Sequence, residues 1–213
     1  MAQRSASRPV ETPKGGLRQA QAAETEAALK QAALVVFARV GYLNTKIVDI
    51  TREAGRSAGS FYTYFPGKEA LLEALLTDLL AEADVATTEP AHSADFSSRA
   101  AVRWHVAVYW EFARRNQVVM TALRQAAIVE DGFAQRLEEL GRADLEHLAD
   151  HLRLAQRQGV RLPGDPHLVA VAIAALFNQF AEQWLNRTDD PTDDETLIEM
   201  LTSFVAGGIG LRD

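Results

Sequence analysis

The 213-residue chain contains no cysteine, which excludes disulfide bridges and thiolate-ligated metal sites. No stretch reads as long and apolar enough to span a membrane, and the first residues, with Arg4, Arg8, Pro9, Pro13 and Lys14, lack the apolar centre of a secretion signal. The expectation is a cytoplasmic protein with no membrane partner. Lysine is missing after Lys68: residues 69–213 hold twelve Arg and 24 acids, a net −12, whereas residues 1–68 hold ten Lys or Arg and five acids, a net +5, and the two sum to the formal −7. Also missing are an alternating strand pattern, an internal repeat, a Ser/His/Asp ordering, a phosphate-cradling glycine loop and a spaced carboxylate pair. Neither an enzyme nor a cofactor is expected.

What is present is helical periodicity. With 47% hydrophobic residues the chain can bury one large or two modest cores. Ala28, Leu29, Ala32, Val36 and Phe37 mark an amphipathic helix from about Glu24 to Val40. Leu71, Leu72, Leu75, Leu76, Leu79 and Leu80 give the next long helix, opening at Lys68, a broad apolar face. Thr87 to Ser98, with Pro90, is a polar break. Further helical patterns lie near 99–115, 118–130, 133–158, 166–186 and 193–206, punctuated at Asn116, Asp131-Gly132, Gly159 to Pro166 and Arg187 to Pro191. The fold class is all-α. Residues 1–20 read as a flexible basic arm, 21–68 as a three-helix head and 69–213 as a helical body.

The densest local signal runs from Thr45 to Lys68, TKIVDITREAGRSAGSFYTYFPGK. Thr45 suits the N-cap of a first helix with Ile47, Ile50 and Ala54 at helical spacing, and Gly55 suits the left-handed residue that ends it. Ser57 caps a second helix in which Phe61 and Phe65, four apart, share a buried face, and Pro66 stops it. A helix, a tight glycine turn and a short second helix form a helix-turn-helix, and a basic amino-terminal third on an acidic body fits a protein that brings one end to a phosphate backbone. Helix N-termini at Thr45, Ser57 and Lys68 are natural phosphate seats, with Lys46 and Lys68 adding whole charges. Arg56, Ala58 and Ser60 are placed to reach base edges, Arg56 either by pairing with guanine or by touching phosphate, and Gly59 lets the backbone come close.

The run from Phe37 through Gly41-Tyr42, Thr45, Asp49-Ile50, Ala54-Gly55, Ser57, Gly59, Phe61-Tyr62, Tyr64-Phe65 and Lys68-Glu69 to Leu71-Leu72 resembles the DNA-binding domain of TetR-type transcriptional regulators. Two positions depart from the usual pattern: Arg56 stands where an apolar residue is common, and Thr51 where alanine is. The resemblance implies that Tyr62 and Tyr64 touch the DNA backbone or base edges, against the plainer reading of two surface aromatics. It further implies a homodimer on double-stranded operator DNA, released by a small-molecule effector held in the body. A helical small-molecule-binding or scaffold protein without operator binding is the alternative.

For the body the resemblance points to a pocket among helices, walled mostly by apolar groups. Val108, Phe112, Met120, Leu123, Phe133, Leu137 and Phe177 are its candidate apolar lining; Trp104, His105, Tyr109 and Asn178 add polar groups that would orient a small apolar or amphipathic ligand. The same side chains equally suit a core. Leu176, Phe180 and Trp184, with Leu197, Leu201 and Phe204, recur at helical steps on the last two helices and are the candidate dimer surface, burial within one chain being the competing account. His147 and His151 sit one turn apart beside Asp144 and Asp150. A solvated helix face is the simpler account of them, because Leu148 occupies the position where zinc hydrolases need glutamate, and no metal is assigned.

Overall fold

The computed structural model of the chain describes residues 14–87, 96–187 and 192–211. The described elements are all helices: α1 (Lys14–Asn44), α2 (Ile47–Glu53), α3 (Ala58–Tyr64), α4 (Lys68–Thr87), α5 (Arg99–Arg115), α6 (Gln117–Val129), α7 (Asp131–Arg157), α8 (Pro166–Leu185) and α9 (Asp194–Gly208). α1 begins inside the stretch expected to be an arm, and residues 1–13 of that arm lie outside the described residues, as do 88–95 of the polar break.

Helix ends follow local chemistry. Ser98 accepts the Ala101 N–H at 3.1 Å, Asp193 accepts that of Thr196 at 2.8 Å, and Asp165 accepts those of His167 and Leu168 ahead of a first turn that opens on Pro166. The break expected at Asp131-Gly132 falls one residue earlier, at the extended Glu130, and Asp131 opens α7.

Two cores form. The first joins head to body: Leu29, Val36, Phe37, Tyr42, Ile50, Phe61 and Phe65 are continuous with Leu71, Leu72 and Leu76 of α4, Leu123 and Ala126 of α6, and Phe133 of α7. The second lies wholly in the body, with Val102, Val106 and Trp110 of α5, Leu152 of α7, Phe177 of α8, and Leu197, Leu201 and Val205 of α9. The Trp110 indole N–H donates to Asp194 Oδ1 at 2.9 Å, and Arg99 and Arg103 pair with Glu199 and Glu195, lacing α5 to α9. The three-helix head is held to α4 by Lys30 Nζ, 2.9 Å from Asp78.

Two expectations change. α8 is, by length and composition, long and apolar enough to cross a membrane, but Val169, Ala170, Phe177 and Ala181 bury one of its faces in the second core, as in a bundle helix. Leu197 and Leu201, expected at a subunit interface, are 4% and 2% exposed because they face that same core. Periodicity identifies an apolar face but not the partner that covers it.

Leu201→Ala should therefore act on the single chain, lowering its unfolding free energy by about 2–5 kcal/mol through lost burial and a residual cavity. Urea denaturation of the full chain would check this; a loss within about 0.5 kcal/mol, the range of an ordinary surface substitution, would remove Leu201 from the core.

Candidate nucleic-acid interface

The turn between α2 and α3 closes as the sequence requires. Gly55 takes φ +62°, the Arg56 N–H donates to Thr51 O at 2.9 Å and the Gly55 N–H to Arg52 O at 3.2 Å, the paired bonds of a Schellman ending. Ser57 Oγ then accepts the Ser60 N–H at 3.1 Å and starts α3. Phe61 and Phe65 are buried and 5.7 Å apart between centroids, which locks one side of α3 to the head. Thr51, the unusual residue of α2, is buried but satisfied, its hydroxyl donating to Val48 O at 3.2 Å.

With that side fixed, Ala58, Gly59, Tyr62 and Thr63 face outward, flanked by exposed Arg56 and Ser57 and, before α2, by exposed Lys46; Ser60 and Tyr64 are half-buried. The cations between residues 30 and 68 divide into two groups. Lys30 pairs with Asp78, Arg39 with Glu53 and Arg52 with Asp49, whereas Lys46 and Arg56 have no ion-pair partner among the described residues. Lys68, also outside any ion pair among the described residues, is committed by hydrogen bonds to Tyr42 O and Thr45 O, which leaves Lys46, just before α2, and Arg56, in the turn before α3. A Cβ on Gly59 would meet only Ser57 Oγ, at 3.8 Å. Among the described residues no close contact requires glycine at this position.

Two expected phosphate seats look inward. α2 begins after an extended Lys46 with no side-chain cap, and Thr45, 3% exposed, donates its hydroxyl to Gly41 O at 2.7 Å, so it closes the end of α1 instead of capping α2. Lys68 Nζ donates to Tyr42 O at 3.1 Å and lies 4.4 Å from the centre of the Tyr42 ring. Sequence periodicity did not mark Tyr42, Gln125 or Glu130, yet they join head to body: the Tyr42 N–H donates to Gln125 Oε1 at 2.7 Å and its hydroxyl to Glu130 Oε1 at 3.0 Å. Burial, reinforced by Glu130, pushes the Tyr42 phenol well above its usual range.

In the body, the side chains expected around one cavity divide between the two cores. Phe112, Met120, Leu123, Phe133 and Leu137 belong to the first. Tyr109 and Phe177 belong to the second, in edge contact at 4.9 Å, with the Tyr109 hydroxyl donating to Asn178 Oδ1 at 2.9 Å; Val108 is half-buried. Beside them Trp104, His105, Phe96 and His151 form a chain of rings 4.6–5.3 Å apart, with His105 Nδ1 2.9 Å from Ala101 O. The solvated face expected for the histidine pair holds for His147; His151 is buried at 7% exposure against Phe96 and His105. Among the described residues no group of three His, Cys, Asp or Glu is placed to hold a metal ion.

An apolar groove of about 290 Å³ opens elsewhere, between α8 and α9, with Leu168, Ile173, Leu176, Phe204 and Val205 on its walls. Leu168 and Phe204 are 65% and 66% exposed. Phe180 and Trp184, half-buried, stack on one another at 5.5 Å.

Burial also pushes the Tyr109 phenol from 10.0 up to about 12. Above pH 10 the unfolded chain releases this proton while the folded chain keeps it, so the folded state binds more protons and stability must fall as pH rises toward 12. Urea denaturation at pH 9, 10 and 11 should show that fall, shallower in Tyr109→Phe, with Tyr42 supplying part of the remaining slope. Equal slopes in the two proteins would mean that Tyr109 titrates as an exposed phenol.

Comparison with known proteins places these features in context. Residues 29–75 match the family model of bacterial regulatory proteins, tetR family. The HTH-type transcriptional regulator BetI of Vibrio atlanticus (strain LGP32) is 30% identical over 169 residues, covering 76% of this chain and 80% of the relative. YhgD of Bacillus subtilis (strain 168), an uncharacterized HTH-type transcriptional regulator, is 24% identical over 186 residues, covering 84% and 93%. Among solved structures, a tetR-family bacterial regulatory protein from Rhodococcus RHA1 superposes with a TM-score of 0.75 at 19% identity, covering 89% of this chain and 98% of its own.

Proposed function

Because the chain belongs to the tetR family of bacterial regulatory proteins, and is thus a helix-turn-helix transcriptional regulator, we propose that it acts as a homodimeric cytoplasmic repressor. In this reading α3 enters the major groove of operator DNA, and a small apolar or amphipathic molecule releases it. The observation that carries the DNA contact is the outward side of the helix-turn-helix: Arg56 and Lys46 exposed without ion pairs among the described residues, and Gly59 with room for a side chain that the fold does not need filled. Lys46 and the N-terminus of α3 at Ser57 then supply phosphate contacts, Arg56 and Ser60 reach base edges, and Tyr62, 57% exposed, lies along the backbone.

Dimerisation is supported by the second apolar face of α8 and α9. Leu168, Val171, Met200 and Phe204 are exposed large apolar side chains, and a self-complementary pairing about a two-fold axis would seat them in the groove of a second copy. Two heads so joined can meet successive major grooves about 34–36 Å apart. The effector reading is supported by two neighbouring groups along α5, Trp104 with His105 and Tyr109 with Phe177 and Asn178, apolar bodies with a few polar tips.

Fluorescence anisotropy against DNA from upstream of the gene and against scrambled DNA, across a salt series, tests the DNA contact. Wild type should prefer the upstream sequence and lose affinity with salt. Gly59→Ala should leave thermal stability equal or higher, by up to about 1 kcal/mol, while binding weakens severalfold. Lys46→Ala should weaken both DNAs alike, whereas Arg56→Ala should erode the preference by up to about 1–3 kcal/mol. A uniform loss from Arg56→Ala would reassign it to phosphate, and Gly59→Ala binding as wild type would remove the close approach.

For the dimer, Phe204→Asp should yield monomers in analytical ultracentrifugation with helical circular dichroism retained, since Phe204 contributes little to the core of its own chain. A dimer that survives this change would place the interface on another face.

A further inference from the structure

Residue 41 interrupts α1. Its φ of 76° and ψ of 160° take the backbone out of the helix, and the Tyr42 N–H that follows is bonded outside α1. The acceptor comes from the body, Gln125 Oε1 of α6, at 2.7 Å. It fits because residue 41 has no side chain: a Cβ there would lie 3.0 Å from Gln125 Oε1 and 3.3 Å from its Nε2. Glu130, between α6 and α7, takes the Tyr42 hydroxyl, and Lys68, the first residue of α4, holds the Tyr42 carbonyl. From Tyr42 the chain runs through Thr45, tied back to Gly41 O and Tyr42 O, directly into Lys46 and α2.

We propose that Gln125 is a positioning residue for DNA binding. By accepting the Tyr42 N–H it sets the angle at which the body presents α2 and α3. The inference rests on the reading of the chain as an operator-binding regulator and adds the residue through which the body controls the head. α6 suits the task because it is anchored at both ends of the route. Leu123 and Ala126 sit in the core that includes the head, while Arg124 lies 3.8 Å from Glu182 of α8. A bond of 2.7 Å leaves the useful hydrogen-bonding range once its partners separate by roughly 1 Å, so the contact holds only a narrow range of placements of the head against α6.

The test compares Gln125→Leu, which removes the acceptor at similar size, with Gln125→Glu, which keeps one. The absence of cysteine allows spin labels at introduced cysteines in place of exposed Gln31 on α1 and exposed Gln156 on α7. Double electron–electron resonance on full-length protein, diluted with unlabelled chain, reads the head-to-body distance within one chain; anisotropy reads affinity for the upstream DNA. Gln125→Glu should reproduce the wild-type distances and affinity. Gln125→Leu should shift or broaden the distances and weaken binding about tenfold, with circular dichroism unchanged. Unchanged affinity in Gln125→Leu, or a loss in Gln125→Glu as large as in Gln125→Leu, overturns the proposal. If wild type shows no preference for the upstream DNA, the operator reading fails separately, and unaltered distances in Gln125→Leu would still refute the positioning role.

Discussion

The end of α1 depends on one residue whose every polar group is committed. The Tyr42 N–H goes to α6, its hydroxyl to Glu130 and its carbonyl to Lys68, while its ring carries the Lys68 ammonium on one side and meets Phe37 edge-on at 5.5 Å. A side chain that is 0% exposed cannot leave such groups unpaired without a penalty of about 1–3 kcal/mol for each, so the turn from Gly41 to Thr45 is held in one geometry. That geometry fixes where α2 starts, and the Schellman turn and the Ser57 cap carry the constraint on to α3. The same commitment draws Lys68 inward, and leaves Lys46, Arg56 and the first residues of α3 as exposed parts of this segment.

The two cores do not divide where the chemistry divides. The boundary expected at residue 68 is not a boundary of packing: Leu71, Leu76, Leu123 and Phe133 pack in one core with Phe37, Ile50 and Phe61. The head is therefore packed against α4 and α6 in one core, and a second core lies beyond it in the body. α5 contributes to both: Trp110 belongs to the second core and Phe112, two residues on, packs on the first.

What could be read from the sequence was whatever is decided locally. The helix order, the left-handed Gly55, the Ser57 cap and the burial of Phe61 and Phe65 each follow from residues within one or two turns of one another. What could not be read depends on neighbours distant in sequence. Thr45 has the chemistry of an N-cap, but the break at Gly41 offers its hydroxyl a carbonyl first. Lys68 has the charge for a phosphate, but Tyr42 lies beside it. Leu197 and Phe204 share a helix and an apolar character, and only the placement of α5 against α9 decides that the first is 4% exposed and the second 66%. Gln125 carries no sequence signal at all, since a polar residue on an amphipathic helix is unremarkable until a broken helix end is set against it.

The uneven charge acquires a physical meaning at the level of pairs. In the body Arg99, Arg103, Arg114, Arg115, Arg136, Arg142 and Arg153 are all matched with carboxylates, a role for which the planar guanidinium is suited and the ammonium less so. Its net −12 is therefore excess acid spread over a surface whose cations are largely committed. At physiological salt such charge is screened beyond about 8 Å, whereas cations at a DNA interface act at contact distance. A chain of net −7 can in this way bind a polyanion through one end, and repulsion of the body favours approach by that end alone. The turn at Tyr42 then matters beyond its own hydrogen bonds, because it sets where Lys46 and α2 begin.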